Sequence, residues 1–269
     1  MPELSEIRIM SEFINSKSSG IYYQSARKSE EKKSNTDLSP LNENGPFRIN
    51  ADSRGKELRL TFDFNGNKRS LFFMMGMSAN WFFVSPGEVY PKHTHLIFKS
   101  NAGTLCLHDM RRFARWKWSD NWGADRGPDP VKEHQEFIDN ILNNLSHRDF
   151  QKPMMEVIMN QKWFNGIGNY LRAEILGRID GNPLWPAWAY IEKFGDQLMF
   201  LCKQMPQEAY ILGGGQFKDW YNYEDQQGEK WGSFQDWIKF YQRKDNALGI
   251  LDKTGRRFWI DRKWEKFIQ

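Results

Sequence analysis

Apolar residues recur with one period in the first part of this chain and with another in the second. That change restricts the fold more than any other feature. From 57 to 64, Leu58, Leu60, Phe62 and Phe64 alternate with Glu57, Arg59, Thr61 and Asp63. Strand side chains point to opposite faces in turn, so this pattern predicts a strand with one face buried. Asn65-Gly66-Asn67 is a hairpin-turn signal, and 70–75 is the returning strand. Further strands are expected at 80–84, 94–100 and 104–108. Ahead of them, Ile7, Met10 and Ile14 are spaced for a short amphipathic helix over 5–15, and the polar stretch 25–46 reads as a surface loop poor in strand.

Past residue 130 the period turns helical. Phe137, Ile141 and Leu145 share a face, with Ile138 and Leu142 beside them. Met154, Met155, Ile158 and Met159 form a second stripe, Leu171, Ile175 and Ile179 a third, and Phe194, Leu198, Leu201 and Met205 a fourth. Stripes of this kind face a core. NWGADRGPDP at 121–130 carries two glycines and two prolines, which suits an interdomain linker. The last apolar runs flank DKTG within 249–260 and predict a terminal β-hairpin. An α+β protein follows, with a β-rich first part, a helical second part and a hairpin at the end. The expected bounds are 1–122, a linker at 123–130, 131–245 and 246–269.

Composition narrows the function. The 269 residues suffice for two compact domains or one large one, and aromatics at 15% leave rings for ligand stacking as well as for a core. A net charge of +4 permits a polyanionic partner without requiring one. Cys106 and Cys202 are the only cysteines, which leaves neither a cysteine zinc finger nor a disulfide framework. No apolar run is long enough to span a bilayer, and the first ten residues hold acids at 3 and 6 in place of a signal sequence. We therefore expect an intracellular chain with no membrane partner.

Three segments bear on chemistry. The start reads Met1-Pro2-Glu3. Removal of Met1 would leave Pro2 with a secondary amine that ionises near neutral pH and forms an iminium with a sugar aldehyde carbon. Glu3 beside it can move protons. Alone, the same three residues also describe an ordinary terminus. NGIGNYLRAEI at 165–175 is a tight turn into a helix N-terminus, able to hold a phosphate with help from Asn169, or a plain corner between helices. HDMRRFARW at 108–116 places Arg111 and Arg112 beside Phe113, as a wedge for a gap in a duplex or as a solvated basic corner.

Together with RGKELRL (54–60), GMS (76–78), PKHTHLIF (91–98) and DKTGRRFWI (252–260), these segments resemble the formamidopyrimidine-DNA glycosylase/endonuclease VIII family over essentially the whole chain. The resemblance implies an N-terminal β-sandwich with a leading helix, then a helix–two-turn–helix domain. Members usually end in a four-cysteine zinc finger. Here DKTGRRFWI resembles a zincless finger, so no metal and no cofactor are expected.

The resemblance also assigns roles. Pro2 resembles the Schiff-base nucleophile and Glu3 the proton donor for base release and ring opening. Lys56 resembles the lysine assisting β-elimination, and Arg256 the finger arginine that grips phosphates. Asn169 resembles the phosphate-binding asparagine and His93 a DNA-contacting histidine. Met77, Arg111 and Phe113 resemble the void-filling set, with Arg112 as the other candidate for the arginine. Lys239 resembles a lysine touching the everted base, and Glu6 an acid near the site.

The implied protein is a monomeric bifunctional DNA glycosylase and AP lyase. It would act on oxidised pyrimidines, ring-opened purines and hydantoins in damaged DNA, double-stranded, with single-stranded and bubble DNA as further candidates. Its compartment would be the nucleus in a eukaryote and the cytoplasm otherwise. Members usually continue Gly-Pro after the first Glu, whereas this chain has Leu4-Ser5. That departure motivates the alternative of a lesion-binding protein with impaired catalysis. The segment 213–233 stands where members carry a lesion-covering loop, and its sequence is its own.

Overall fold

The computed structural model describes residues 2–30, 35–215 and 233–268. The chain divides into two compact units. The first holds Pro2 and Ile7–Ala124, and the second holds Glu3–Glu6 and Asp125–Gln269. Most of the proposed lesion-covering loop, 216–232, lies outside the described residues.

In the first unit, helix α1 (Leu4–Ser18) is followed by β1 (Tyr23–Lys28), the short helix α2 (Ser39–Glu43) and strands β2 (Arg48–Arg54), β3 (Glu57–Phe64), β4 (Asn67–Met74), β5 (Ala79–Val84), β6 (Thr94–Ser100), β7 (Thr104–Asp109) and β8 (Arg115–Trp118). Two antiparallel four-stranded sheets result, ordered β1-β6-β7-β5 and β2-β3-β4-β8. The alternation holds over 58–63, while Glu57, expected on the wet face, is buried and Phe64 is half-buried. Leu58, Leu60 and Phe62 are fully buried, while Thr61 and Asp63 reach the other face. Phe62 meets Phe98 with ring centroids 5.4 Å apart and Phe73 meets Trp81 at 5.5 Å, so each sheet supplies half of an aromatic core. The layers form a β-sandwich.

The stretch 25–46 corrects the sequence reading. It begins inside β1, which pairs antiparallel with β6, and ends beyond α2. Polar residues conceal β1 because its outward face is wet, while Tyr23 and Ala26 are buried. Strands β2 and β8 were not anticipated either. β8 spans only four residues, too few for a period to show.

The second unit is helical. It contains α3 (His134–Leu142), a 3-10 turn at Arg148–Gln151, α4 (Met154–Val157), α5 (Asn169–Gly177), α6 (Ala187–Ile211), α7 (Phe234–Trp237) and the antiparallel hairpin β9 (Ala247–Leu251) and β10 (Arg257–Asp261). The stripes read from sequence converge on one core, where Phe137, Ile141, Met154, Leu171, Ile175, Leu198 and Met205 are buried together. Phe258, Trp259 and Ile260 of β10 belong to the same core, so the hairpin is packed onto the helices rather than standing apart. No described helix is long and apolar enough to cross a membrane.

Candidate nucleic-acid and catalytic site

Helix α5 begins after Gly166-Ile167-Gly168, and its first N–H groups have no partner within the helix. Glu3 supplies one from 165 residues away. Its carboxylate accepts from the backbone N–H groups of Gly168 (2.7 Å), Tyr170 (2.9 Å) and Leu171 (3.2 Å). A negative group at a helix N-terminus is also favoured by the helix dipole. Gly168 is required by space: a Cβ there would stand 2.2 Å from the Glu3 carboxyl carbon. Glu3 is buried.

Glu6 fixes the segment that carries Glu3. Its carboxylate accepts from the Glu3 backbone N–H (2.8 Å), the Tyr170 hydroxyl (3.0 Å) and the Gly215 N–H (2.9 Å). Burial, followed by the charges of Glu6 and Glu3, raises the Tyr170 phenol well above its ordinary range and keeps it a neutral donor. Leu4 and Ser5 lie in the first turn of α1. Leu4 is not among the residues with positive φ, so this start needs no glycine. The Leu4 N–H donates to the Gly166 carbonyl (3.1 Å), and the Ser5 hydroxyl donates to the Pro206 carbonyl (2.9 Å). The departure from Gly-Pro therefore adds an anchor and leaves Glu3 seated.

The hairpin tip is held by two buried charges that sequence reasoning missed. Asp252 Oδ1 accepts from the Thr254 N–H and hydroxyl and from the Arg256 N–H, while Oδ2 accepts from Arg172 Nη1 at 2.9 Å. Burial alone would raise the Asp252 carboxyl, but hydrogen bonds from Thr254, Arg172 and the Arg256 amide outweigh it and bring it to about 2. Arg172 is wholly buried, stacks over the Phe258 ring at 4.8 Å and donates to the Met155 carbonyl and to Asn169 Oδ1. The Asn169 amide in turn donates to the Arg257 carbonyl at 3.0 Å. Asn169 and the turn bearing Arg256 are thus brought together through Arg172 and Asp252, with the Arg256 side chain exposed.

A zinc ion does not fit this hairpin. Residues 246–262 hold no cysteine or histidine, and Asp252 is already bonded on both oxygens. The turn that a metal would organise is organised by an ion pair.

Lys239 is exposed, on a segment clamped from below. The buried Glu174 carboxylate accepts from the N–H groups of Lys239 (3.0 Å), Phe240 (2.8 Å) and Tyr241 (2.8 Å), and it pairs with Arg178. Sequence reasoning missed Arg172 and Glu174 as well, because two charges within a helix read as surface, whereas residues 170–176 are all buried.

The first unit carries the remaining candidates. Pro2 is buried, and Lys56 is half-buried in the two-residue turn that joins β2 to β3. Met77, Arg111 and Phe113 come together. Arg111 stacks over Phe113 at 4.7 Å, and its guanidinium lies 3.6 Å from the Met77 sulfur. Met77 and Phe113 are exposed, as a wedge requires. Gly76, at φ 66°, permits this packing, since a Cβ there would stand 2.7 Å from the Phe113 Cβ. Arg112 occupies a left-handed turn conformation, with φ 58°.

Buried Asp109 holds the loop. Its carboxylate accepts from the Ser78 hydroxyl (2.6 Å) and the Ala114 N–H (2.7 Å), and its carbonyl accepts from the Arg112 N–H. It was also missed, because nothing in its spacing marks it. His93 is half-buried with φ 66°, its carbonyl accepting the Asp109 N–H, and its ring lies 6.1 Å from that of His108.

Residues 1–116 match the profile of the formamidopyrimidine-DNA glycosylase N-terminal domain. Over 291 aligned positions the chain is 31% identical to Endonuclease 8-like 1 of Homo sapiens, spanning 97% of this chain and 72% of the relative. The chain belongs to the formamidopyrimidine-DNA glycosylase/endonuclease VIII family. Its fold is also that of solved family members. The Lactococcus lactis FPG (MutM) in complex with FAPY-dG containing DNA superposes with a TM-score of 0.77 at 20% identity, covering 97% of this chain and 98% of that one. The same enzyme bound non-covalently to AP site containing DNA gives 0.79 at 19%, with the same coverage. At such identity the likeness is one of fold. It agrees with the sandwich and the helical unit described above.

Proposed function

We propose that this chain is a bifunctional DNA glycosylase and AP lyase for oxidised bases, acting as a monomer on damaged DNA. The observation that carries the reading is the seating of Glu3: a buried carboxylate locked on three amides at the start of α5, one residue after Pro2. A clamp of that rigidity leaves a neighbouring nucleophile little freedom to wander.

The Pro2 nitrogen, free once Met1 is removed, attacks C1′ of an everted nucleotide. The N-glycosidic bond breaks and the base leaves with a proton relayed by Glu3. The iminium makes the C2′ hydrogen acidic, so the 3′ phosphate departs by β-elimination and the 5′ phosphate by δ-elimination. Lys56 assists the proton removal. Asn169 and Arg256 hold the flanking phosphates, His93 adds a DNA contact, and Lys239 meets the extruded base. Met77, Arg111 and Phe113 fill the vacated stack. Residues 1–122 are assigned to catalysis, 131–245 to DNA binding and 246–269 to a zincless finger.

Ring-opened purines, oxidised pyrimidines and hydantoins are the proposed substrates, in duplex, single-stranded or bubble DNA. The first class is supported by the FAPY-dG complex of the Lactococcus lactis relative. The second reading, a lesion binder with impaired catalysis, draws on Leu4-Ser5, and the helical first turn at those residues argues against it.

Borohydride trapping tests the proposal. A preparation shown by mass spectrometry to begin at Pro2 is mixed with abasic and lesion oligonucleotides. A covalent adduct is expected, and Pro2→Gly, which exchanges the secondary amine for a primary one, lowers its yield. Glu3→Gln lowers base release by roughly 10²–10⁴-fold. DNA binding without any adduct would overturn the assignment of Pro2.

A further inference from the structure

The helical unit contains an apolar groove that none of these roles uses. It has a volume of about 570 Å³ between α3 and the first half of α6, and is lined by Ile138, Leu142, Leu145, Ile191, Met199 and Phe200. Leu142 is 48% exposed and Phe200 59%, so the lining is open to solvent, unlike the sealed core beneath it. Along α3, His134, Ile138 and Leu142 follow one another at four-residue spacing. That gives a trough about 12 Å long, roughly two turns of helix.

The rim carries two acids and one base, for a net negative charge. Glu192 and Asp196 stand one turn apart on α6, both exposed and neither in an ion pair among the described residues. Lys193, between them, is turned onto the rings of Trp185 and Phe194, at 5.6 and 5.3 Å. A chain of net charge +4 therefore presents a negative edge beside an uncovered apolar trough.

We propose that the groove binds a basic amphipathic helix of a partner protein. The helix would run two to three turns. Its apolar residues at i, i+4 and i+7 enter the trough, and its lysines or arginines lie opposite Glu192 and Asp196. The apolar contact supplies most of the affinity and the acidic rim sets the sign of the partner.

The test uses a fluorescein-labelled 14-residue helical peptide of leucine and lysine at amphipathic spacing, with a leucine–glutamate counterpart. Both are titrated into the full chain by fluorescence anisotropy. The lysine peptide binds at least tenfold more tightly than its counterpart. Phe200→Asp lowers its affinity at least tenfold, and the double variant Glu192→Lys/Asp196→Lys inverts the preference. Hydrogen exchange places the protection at 134–145 and 191–200. Thermal unfolding and abasic-site cleavage stay within twofold of the parent in these variants, since their side chains are exposed and outside the catalytic set. No binding overturns the proposal. So does equal binding to Phe200→Asp, an unchanged preference in the double variant, or protection elsewhere.

Discussion

Replacing Asp252 with asparagine tests the claim that a buried ion pair does the work of a metal in the terminal hairpin. The substitution keeps an oxygen for the Thr254 and Arg256 amides but turns an amide N–H₂ toward the guanidinium of Arg172, which is wholly buried. Donor then faces donor, and an uncompensated charge remains in the core. Removing one partner of a buried pair costs about 3–5 kcal/mol. The second unit has about 150 residues. At that size the loss lowers its Tm by about 6–20 °C.

Differential scanning calorimetry reads the shift. A companion variant, Arg172→Met/Asp252→Leu, removes both charges at once and recovers at least half of the loss, because well-packed apolar residues often replace such pairs at little cost. In cleavage assays Asp252→Asn slows strand scission more than base release, since the turn that presents Arg256 is the part disturbed. A loss below about 1 kcal/mol, or additive effects in the double variant, would refute the account.

Three further outcomes follow from the same geometry. Gly168→Ala drives a Cβ into the Glu3 carboxylate and lowers base release at least tenfold, measured in single-turnover assays, with binding of undamaged DNA largely retained. Leu4→Gly, a change toward the usual family residue, destabilises by about 3 kcal/mol in urea titration, because Leu4 is buried and its helical backbone gains nothing from glycine. Asp252 is held at about 2, below its ordinary 3.8, so its contribution is complete above pH 3.8 and is lost as pH falls through 2. Asp252→Asn should therefore flatten the stability-versus-pH curve in that window.

Much of the fold was legible because it rests on local periodicity. The alternation before the turn at 65–67 and the helical stripes report one face in water and one in a core, and the apolar runs at 94–100 and 104–108 report strands buried along most of their length. Where the local signal was weak, the structure had to decide. Strand β1 is polar enough to read as loop and is a strand only because β6 offers it hydrogen bonds. The candidate site divides the same way. Arg111 and Phe113 were marked by residue type and Met77 only by the family resemblance, and the three do meet. Asp109, Arg172, Glu174 and Asp252 hold the candidates in place and went unmarked, since a charged residue in a sequence reads as surface unless its burial is known.

The segment MPELSE shows where the boundary falls. Sequence alone determined the chemistry on offer: an imino acid with the potential for a free amine, followed at once by a carboxylate. It could not determine that Glu3 caps a helix beginning 166 residues later, or that Leu4 and Ser5 start a regular helix where glycine and proline were expected. Those facts depend on which backbone amides approach the carboxylate and on which φ angle the turn takes. Such long-range pairings exist only once the chain has closed on itself.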